Sequence, residues 1–184
     1  MCILMMVPHE IKSRGRDDLR DYYQLMDDSR IAQKVKPQGL RKEDSFAQLP
    51  PVSILDVAEH SFNEYTDWLE KPVPMMSQQM KSIIEKYNPR IQWKCVHLID
   101  KRSGSQNVYW VMQIPTLDCL SQDSEFYLNG TVKRLVLDHE KIKAHHFFAI
   151  EGILEPYIVV SLDVAESLLR RSYTGFVLQK VEQA

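Results

Sequence analysis

The chain has 184 residues, 44% hydrophobic and 26% charged, with 23 basic against 25 acidic side chains and a formal net charge of −2. That length buries a core without staples, and the near balance of charge argues against a nucleic-acid-binding role, which leaves a basic footprint. No window approaches the ~20 apolar residues that cross a bilayer, so a membrane is not expected as a partner either.

The opening MCILMMVPHE has no cationic region before its apolar run and no small-residue cleavage site after it, and Pro8 cuts it short. It does not read as a signal peptide. Glu10 to Asp21 is charged and without period, so residues 1–21 are expected to form a loosely held leader to a single α+β domain over residues 22–184. Tyr22-Tyr23-Gln24-Leu25-Met26 predicts a short strand, ended by Asp27-Asp28-Ser29. From there to Pro51 the breakers Pro37, Gly39, Pro50 and the cluster Arg41-Lys42-Glu43-Asp44 predict a long surface connection. Asp56 to Glu70, with Val57, Phe62, Tyr65 and Leu69, is expected to be helical, diluted by Ser61 and Asn63.

Two later stretches share one pattern. Val73-Pro74-Met75-Met76 leads to Ser77, then Met80, Ile83, Ile84 and Tyr87 fall at helical spacing, Asn88-Pro89 closes the helix, and Ile91 onward alternates as a strand. Near the end, Tyr157-Ile158-Val159-Val160 leads to Ser161 as a helix N-cap, whose loss to alanine would cost ~1 kcal/mol. Val164, Leu168 and Ala165, Leu169 form its apolar stripe, Asp163 and Arg170-Arg171 suit the two helix ends, Gly175 supplies a left-handed stop, and Phe176-Val177-Leu178 resumes as a strand. Leu69-Glu70 with Pro72 precedes the first stretch as Leu154-Glu155-Pro156 precedes the second. Residues 69–99 and 154–181 therefore read either as a duplicated unit or as a common pattern met twice. Between them, Ile91 to Ile99 and Val108 to Ile114 predict a hairpin joined by Asp100 to Asn107. Val108-Tyr109-Trp110-Val111-Met112 is apolar on both faces and belongs inside a sheet. Thr131 to Leu137 predicts a strand, Asp138 to Lys141 a turn or short helix, His146 to Ile150 another strand, and Gly152 a turn. The sum is α+β, with a mixed, largely antiparallel sheet and few helices.

No chemistry declares itself. His145-His146 lacks any HExxH or CxxC companion, and neighbours on a strand face opposite ways, so a metal site is not expected. Asp118, Asp123 and Glu125 suggest Ca²⁺ or an acid–base pair but have neither the ligand spacing nor the central glycine of an EF-hand loop. Ser161 follows a strand and opens a helix as a nucleophile elbow does, yet neither glycine of G-x-S-x-G flanks it. Nothing local lowers the pKa of Cys119. Cys2, Cys95 and Cys119 lie far apart, which suits a reducing cytosol. Trp68, Trp93 and Trp110 read as core or interface anchors rather than a base-stacking set. There is no Walker loop and no G-x-G-x-x-G, and no catalytic, cofactor-binding or metal residue is assigned.

An ordered set of motifs does carry a resemblance. It runs through Tyr22 to Asp28, Asp67-Trp68-Leu69, the Met75-Met76-Ser77 helix start, the Val108 to Ile114 strand, Asp118-Cys119-Leu120 and Ser124-Glu125-Phe126. It continues through Leu135 to Ile142, His146-Phe147-Phe148, Val159-Val160-Ser161 and Thr174-Gly175-Phe176. In these motifs the chain resembles a bacterial immunity-protein family of polymorphic toxin systems, formerly a domain of unknown function. Where that family often carries a second acid after Asp118, this chain has Ser121. The resemblance implies a small cytoplasmic protein that binds and neutralises a cognate toxin domain, with no active site of its own. Its motifs would be scaffold, and its specificity surface would lie in loops such as Asp27 to Pro51, Lys101 to Asn107 and Ser121 to Gly130. Two alternatives stand beside it: a generic protein-interaction module, and an enzyme that gathers Asp118, Asp123, Cys119 or His145 in a cleft.

Overall fold

A computed structural model describes residues 20–42, 44–60, 62–154 and 157–184. Two serines that end strands and open helices organise it. The first strand-helix-strand run is β4 (Met75–Ser77), α1 (Gln78–Tyr87) and β5 (Gln92–Asp100); the second is β12 (Ile158–Ser161), α3 (Leu162–Leu169) and β13 (Phe176–Lys180). In neither do the two strands pair with each other. Strand β6 (Ser105–Gln113) lies antiparallel between β4 and β5, and β1 (Tyr22–Asp27) lies antiparallel between β12 and β13, so each run is a parallel crossover with one antiparallel strand inserted.

The match extends to single bonds. Ser77 N–H donates to the Asp67 carbonyl at 2.8 Å and its hydroxyl lies 2.7 Å from Asp67 Oδ1; Ser161 N–H donates to the His146 carbonyl at 2.9 Å and its hydroxyl lies 2.9 Å from His146 Nδ1. Tyr109, the register partner of Ser77, donates its hydroxyl to the Thr66 carbonyl at 2.6 Å. Tyr22, the register partner of Ser161, donates to the His145 carbonyl at 3.0 Å and to the Ile142 carbonyl at 2.6 Å.

Around these runs grow two five-stranded sheets in an α+β fold that is largely antiparallel. The first has the order β2-β5-β6-β4-β3, with β2 (Val52–Asp56) parallel to β5 and β3 (Trp68–Leu69) antiparallel to β4. The second has the order β13-β1-β12-β11-β7, with β7 (Thr116–Leu117) parallel to β11 (Phe147–Ile150). Short pairs complete the fold: β8 (Glu125–Phe126) with β9 (Val132–Arg134), and β10 (Val136–Leu137) with β14 (Glu182–Gln183).

Alternation along the strands sorts side chains into three cores. The central one joins both sheets through the helices: Trp68, Met76 and Met112 from one sheet, Leu25, Phe147 and Val160 from the other, and Met80, Ile84, Val164 and Leu168 from α1 and α3. The opposite face of the first sheet, with Leu69, Met75, Val96 and Tyr109, is covered by Val35, Leu49 and Val57 of the long connection. The opposite face of the second, with Tyr22, Phe148 and Val159, is covered by Cys119, Leu137 and Ile142, the last from α2 (His139–Ile142). Each sheet is thus packed on both faces, which is why β12 is buried at every position.

Several local expectations change. Residues 56–70 are not helical: Val57 N–H extends the β2 ladder to the Ile99 carbonyl, and Asn63 bonds back to the Ala58 carbonyl. Val57, Tyr65 and Leu69 still reach a core, the second one, but along an irregular path held by non-local pairing, while Phe62 is 63% exposed. Ser161 has the backbone of an N-cap, but its hydroxyl is turned to His146 instead of a helix N–H, so its removal would break that pair and not a cap. Ser77 does cap α1, accepting from Met80 N–H. Leu169 is 62% exposed, off the apolar stripe, and the left-handed residue that closes α3 is Ser172, with φ +54°; Gly175 is left-handed as expected, at φ +98°, but stands directly before β13 and not at the helix end. The stretch 131–137 divides at Leu135, which packs into the third core, into β9 and β10, which pair with different partners. Residues 1–19 of the expected leader, and Glu155-Pro156 of the second approach, lie outside the described residues. Arg20 and Asp21 are tied into the fold, Arg20 to Asp163 at 3.0 Å and Asp21 to Lys180 at 2.8 Å.

Candidate functional site

The residues with reactive side chains are spread over the surface or occupied in the scaffold. Asp118 is exposed, 3.8 Å from Lys141, and Glu125 is paired to Lys133 at 2.6 Å. The ring of His145 stands edge-on to Phe148, whereas His146 turns the other way, to Ser161 and the ring of Tyr87. Cys119 is fully buried and desolvation raises its pKa to about 11. Native Cys119 is therefore expected to react with iodoacetamide at least ~100-fold more slowly than in the unfolded chain, as mass spectrometry of the alkylated protein will show.

Sequence reasoning missed one constellation. Ser161, His146 and Asp163 come together, with His146 Nδ1 2.9 Å from Ser161 Oγ and 3.6 Å from Asp163 Oδ2. A nucleophilic triad needs the two imidazole nitrogens to serve the serine and the acid separately. Here one nitrogen faces both, the serine is fully buried, and Asp163 is engaged by Arg20, so the arrangement orients a strand end. Burial, and then the Arg20 charge, hold the His146 pKa below its ordinary value, which favours the neutral ring that this packing needs. Among the described residues no group of three or more His, Cys, Asp or Glu is placed to hold a metal ion.

Two concave features among the described residues bear on the question. A cleft of about 980 Å³ runs where β1 and β12 meet the segment 70–74, and a groove of about 420 Å³ follows β2 beside residues 39–50. Neither is lined by Asp118, Cys119, Asp123 or His145. The surface also carries apolar side chains that no core absorbs. Phe126 projects from the end of β8 and Tyr127 and Leu128 from the turn that follows it, with Leu154 against Gly130, and Val52 and Ile54 stand out from β2. Of the three expected loops, two share the first sheet. Lys101 pairs with Asp56, and Gln38 N–H donates to the Asp56 carbonyl at 2.8 Å. The third, 121–130, belongs to the cover of the second sheet, bonded to Val136 through Ser121 and Ser124.

A family model described as "Immunity protein family (Imm11)" matches residues 6–183. The chain belongs to the Imm11 immunity protein family. No curated protein matches it. The motifs that carried the resemblance to immunity proteins meet in space as scaffold of this Imm11 member. Asp67-Trp68-Leu69 touches both Ser77 and Thr174-Gly175-Phe176: Asp67 Oδ2 accepts Thr174 N–H at 2.9 Å, and Trp68 N–H donates to the Thr174 carbonyl at 3.1 Å. Asp118-Cys119-Leu120 likewise meets the Leu135 to Ile142 motif, where Asp138 N–H donates to the Cys119 carbonyl at 2.9 Å and Leu120 bridges Leu137. These Imm11 motifs leave out the exposed edge of β2 and, in the turn, Tyr127 and Leu128, and Val52-Ser53-Ile54-Leu55, directly after Pro50-Pro51, is the one signal from which the edge strand could have been read.

Proposed function

We propose that this Imm11 protein protects its cell by binding and neutralising a cognate toxin domain in the cytoplasm, through surface complementarity and without catalysis of its own. The carrying observation is the family match over residues 6–183. The geometry supports the same reading: acids, thiol and histidines are dispersed or held in the scaffold, while apolar side chains stand free at β2 and at the turn after β8. A few such groups, the aromatic ones above all, anchor an interface when a partner desolvates them. Among the described residues no helix is long and apolar enough to cross a membrane, which agrees with capture of the toxin in the aqueous phase. We further read residues 22–184 as one folded unit built on two copies of the strand-helix-strand run, supported by the central core that both sheets share and by the matched Ser77 and Ser161 bonds.

The test is a growth rescue. The toxin domain encoded beside this gene is expressed in a susceptible host with and without this chain; restored growth and copurification are expected. A neighbour that is toxic, unrescued and not copurified would overturn the immunity reading and leave a generic interaction module.

A further inference from the structure

The open edge of β2 identifies a kind of contact. Pro51 accepts the Cys95 N–H at 2.9 Å and Val57 donates to the Ile99 carbonyl at 3.1 Å, which fixes the phase of the parallel ladder between β2 and β5. In that phase the peptide groups of Ser53 and Leu55 turn to β5 and those of Val52 and Ile54 turn outward. Those outward groups have no hydrogen-bond partner among the described residues; the next one along, the Asp56 carbonyl, is closed by Gln38 N–H. Val52 and Ile54 are themselves 54% and 74% exposed. Edges are ordinarily guarded by a charge, a proline or a bulge; here Pro51 and Asp56 stand at the two ends of the strand, and Val52 to Leu55 between them carries none of these.

The groove tells which occupant fits. It follows this edge, with Gly39, Leu40, Gln48 and Leu49 on its other side, and Lys94 Nζ holds that side by bonding the carbonyls of Phe46, Ala47 and Leu49. Its volume of about 420 Å³ is that of a short extended segment laid along the edge. At the exposed end of the face that elsewhere packs into the central core, Ile54, His97 and Val108 stand in register across three strands, so an added strand would lay an apolar side chain beside Ile54. We propose that the outer edge of β2 receives an extended segment of the toxin domain as an added strand, bonded to the main chain of Val52 and Ile54. This rests on the immunity reading.

Proline suits the test, because at position 54 it removes an outward amide and leaves the ladder to β5 intact. The purified full-length chain, Ile54→Pro and Ile54→Thr are titrated calorimetrically with the toxin domain encoded beside the gene, and each is melted by circular dichroism. The proline variant is expected to melt near the parent and to bind at least ~30-fold more weakly, and the threonine variant, which keeps the amide, to lose only a few-fold. Amide exchange on the parent complex gives a reading independent of any variant's folding: the Val52 and Ile54 amides are expected to gain protection on binding. Equal affinity for Ile54→Pro, or unchanged exchange at both amides, overturns the edge contact alone. A parent chain that does not bind the toxin domain overturns the immunity reading and this contact with it. A parent dimer that Ile54→Pro splits would give the edge to a second copy instead.

Discussion

Replacing Gly175 with alanine is expected to lower the melting temperature by roughly 6–12 °C, from a loss of about 3 kcal/mol or more. Gly175 has φ +98°, a backbone conformation that side chains rarely adopt. The larger cost is steric. A Cβ there would sit 2.6 Å from Thr66 Oγ1 and closer still to the Trp68 carbonyl oxygen, a backbone atom that cannot swing aside. The same carbonyl accepts the Thr66 hydroxyl at 2.8 Å, while the Gly175 carbonyl accepts from Asp28 N–H at 3.0 Å and from Lys34 Nζ at 2.9 Å. Moving either segment would therefore open the seam at which β3 of the first sheet meets the start of β13 in the second. Gly104 provides the control. Its φ is +70° but nothing lies within 4 Å of its Cβ position, so Gly104→Ala should show conformational strain alone, about 1 kcal/mol. Equal melting shifts for the two variants, measured by calorimetry, would show that the close approach at Gly175 contributes nothing.

What could be read from the sequence was local. Ser77 announces α1 because an N-cap acts within one turn, and Tyr22 to Met26 and Val108 to Met112 announce strands because their side chains suit a sheet whatever their neighbours. The same logic fails for residues 56–70, which leave β2 at its end, where the decisive partner is β5, some forty residues further on. It fails for Ser161 as well, whose hydroxyl has a helix N–H within reach in sequence and a better partner, His146, across the strand. The kinship of Tyr22 and Tyr109 was out of reach, since one inserted strand precedes its crossover and the other follows its own. An open edge at β2 is a property of what the rest of the chain leaves uncovered. No window of residues contains it.

Trp68 separates size from polarity in the central core. Trp68→Ala is expected to destabilise the protein by about 3–5 kcal/mol, the usual range for emptying a fully buried aromatic site, and Trp68→Phe by less than about 1.5 kcal/mol. The side chain is completely buried between β4, the helices and the second sheet, so truncation to alanine removes contacts on every side. Its indole Nε1, however, has no hydrogen-bond partner among the described residues, so phenylalanine sacrifices no bond there and relieves a buried donor. The second sheet supports that choice. The residue at the matching place, first in β11 and directly after the His146 pair to Ser161, is Phe147, equally buried and in the same core. Denaturant melts of both variants decide the matter. A phenylalanine variant as unstable as the alanine one would mean that the indole ring is held by something beyond its volume, and that Trp68 and Phe147 are not interchangeable parts of two like halves.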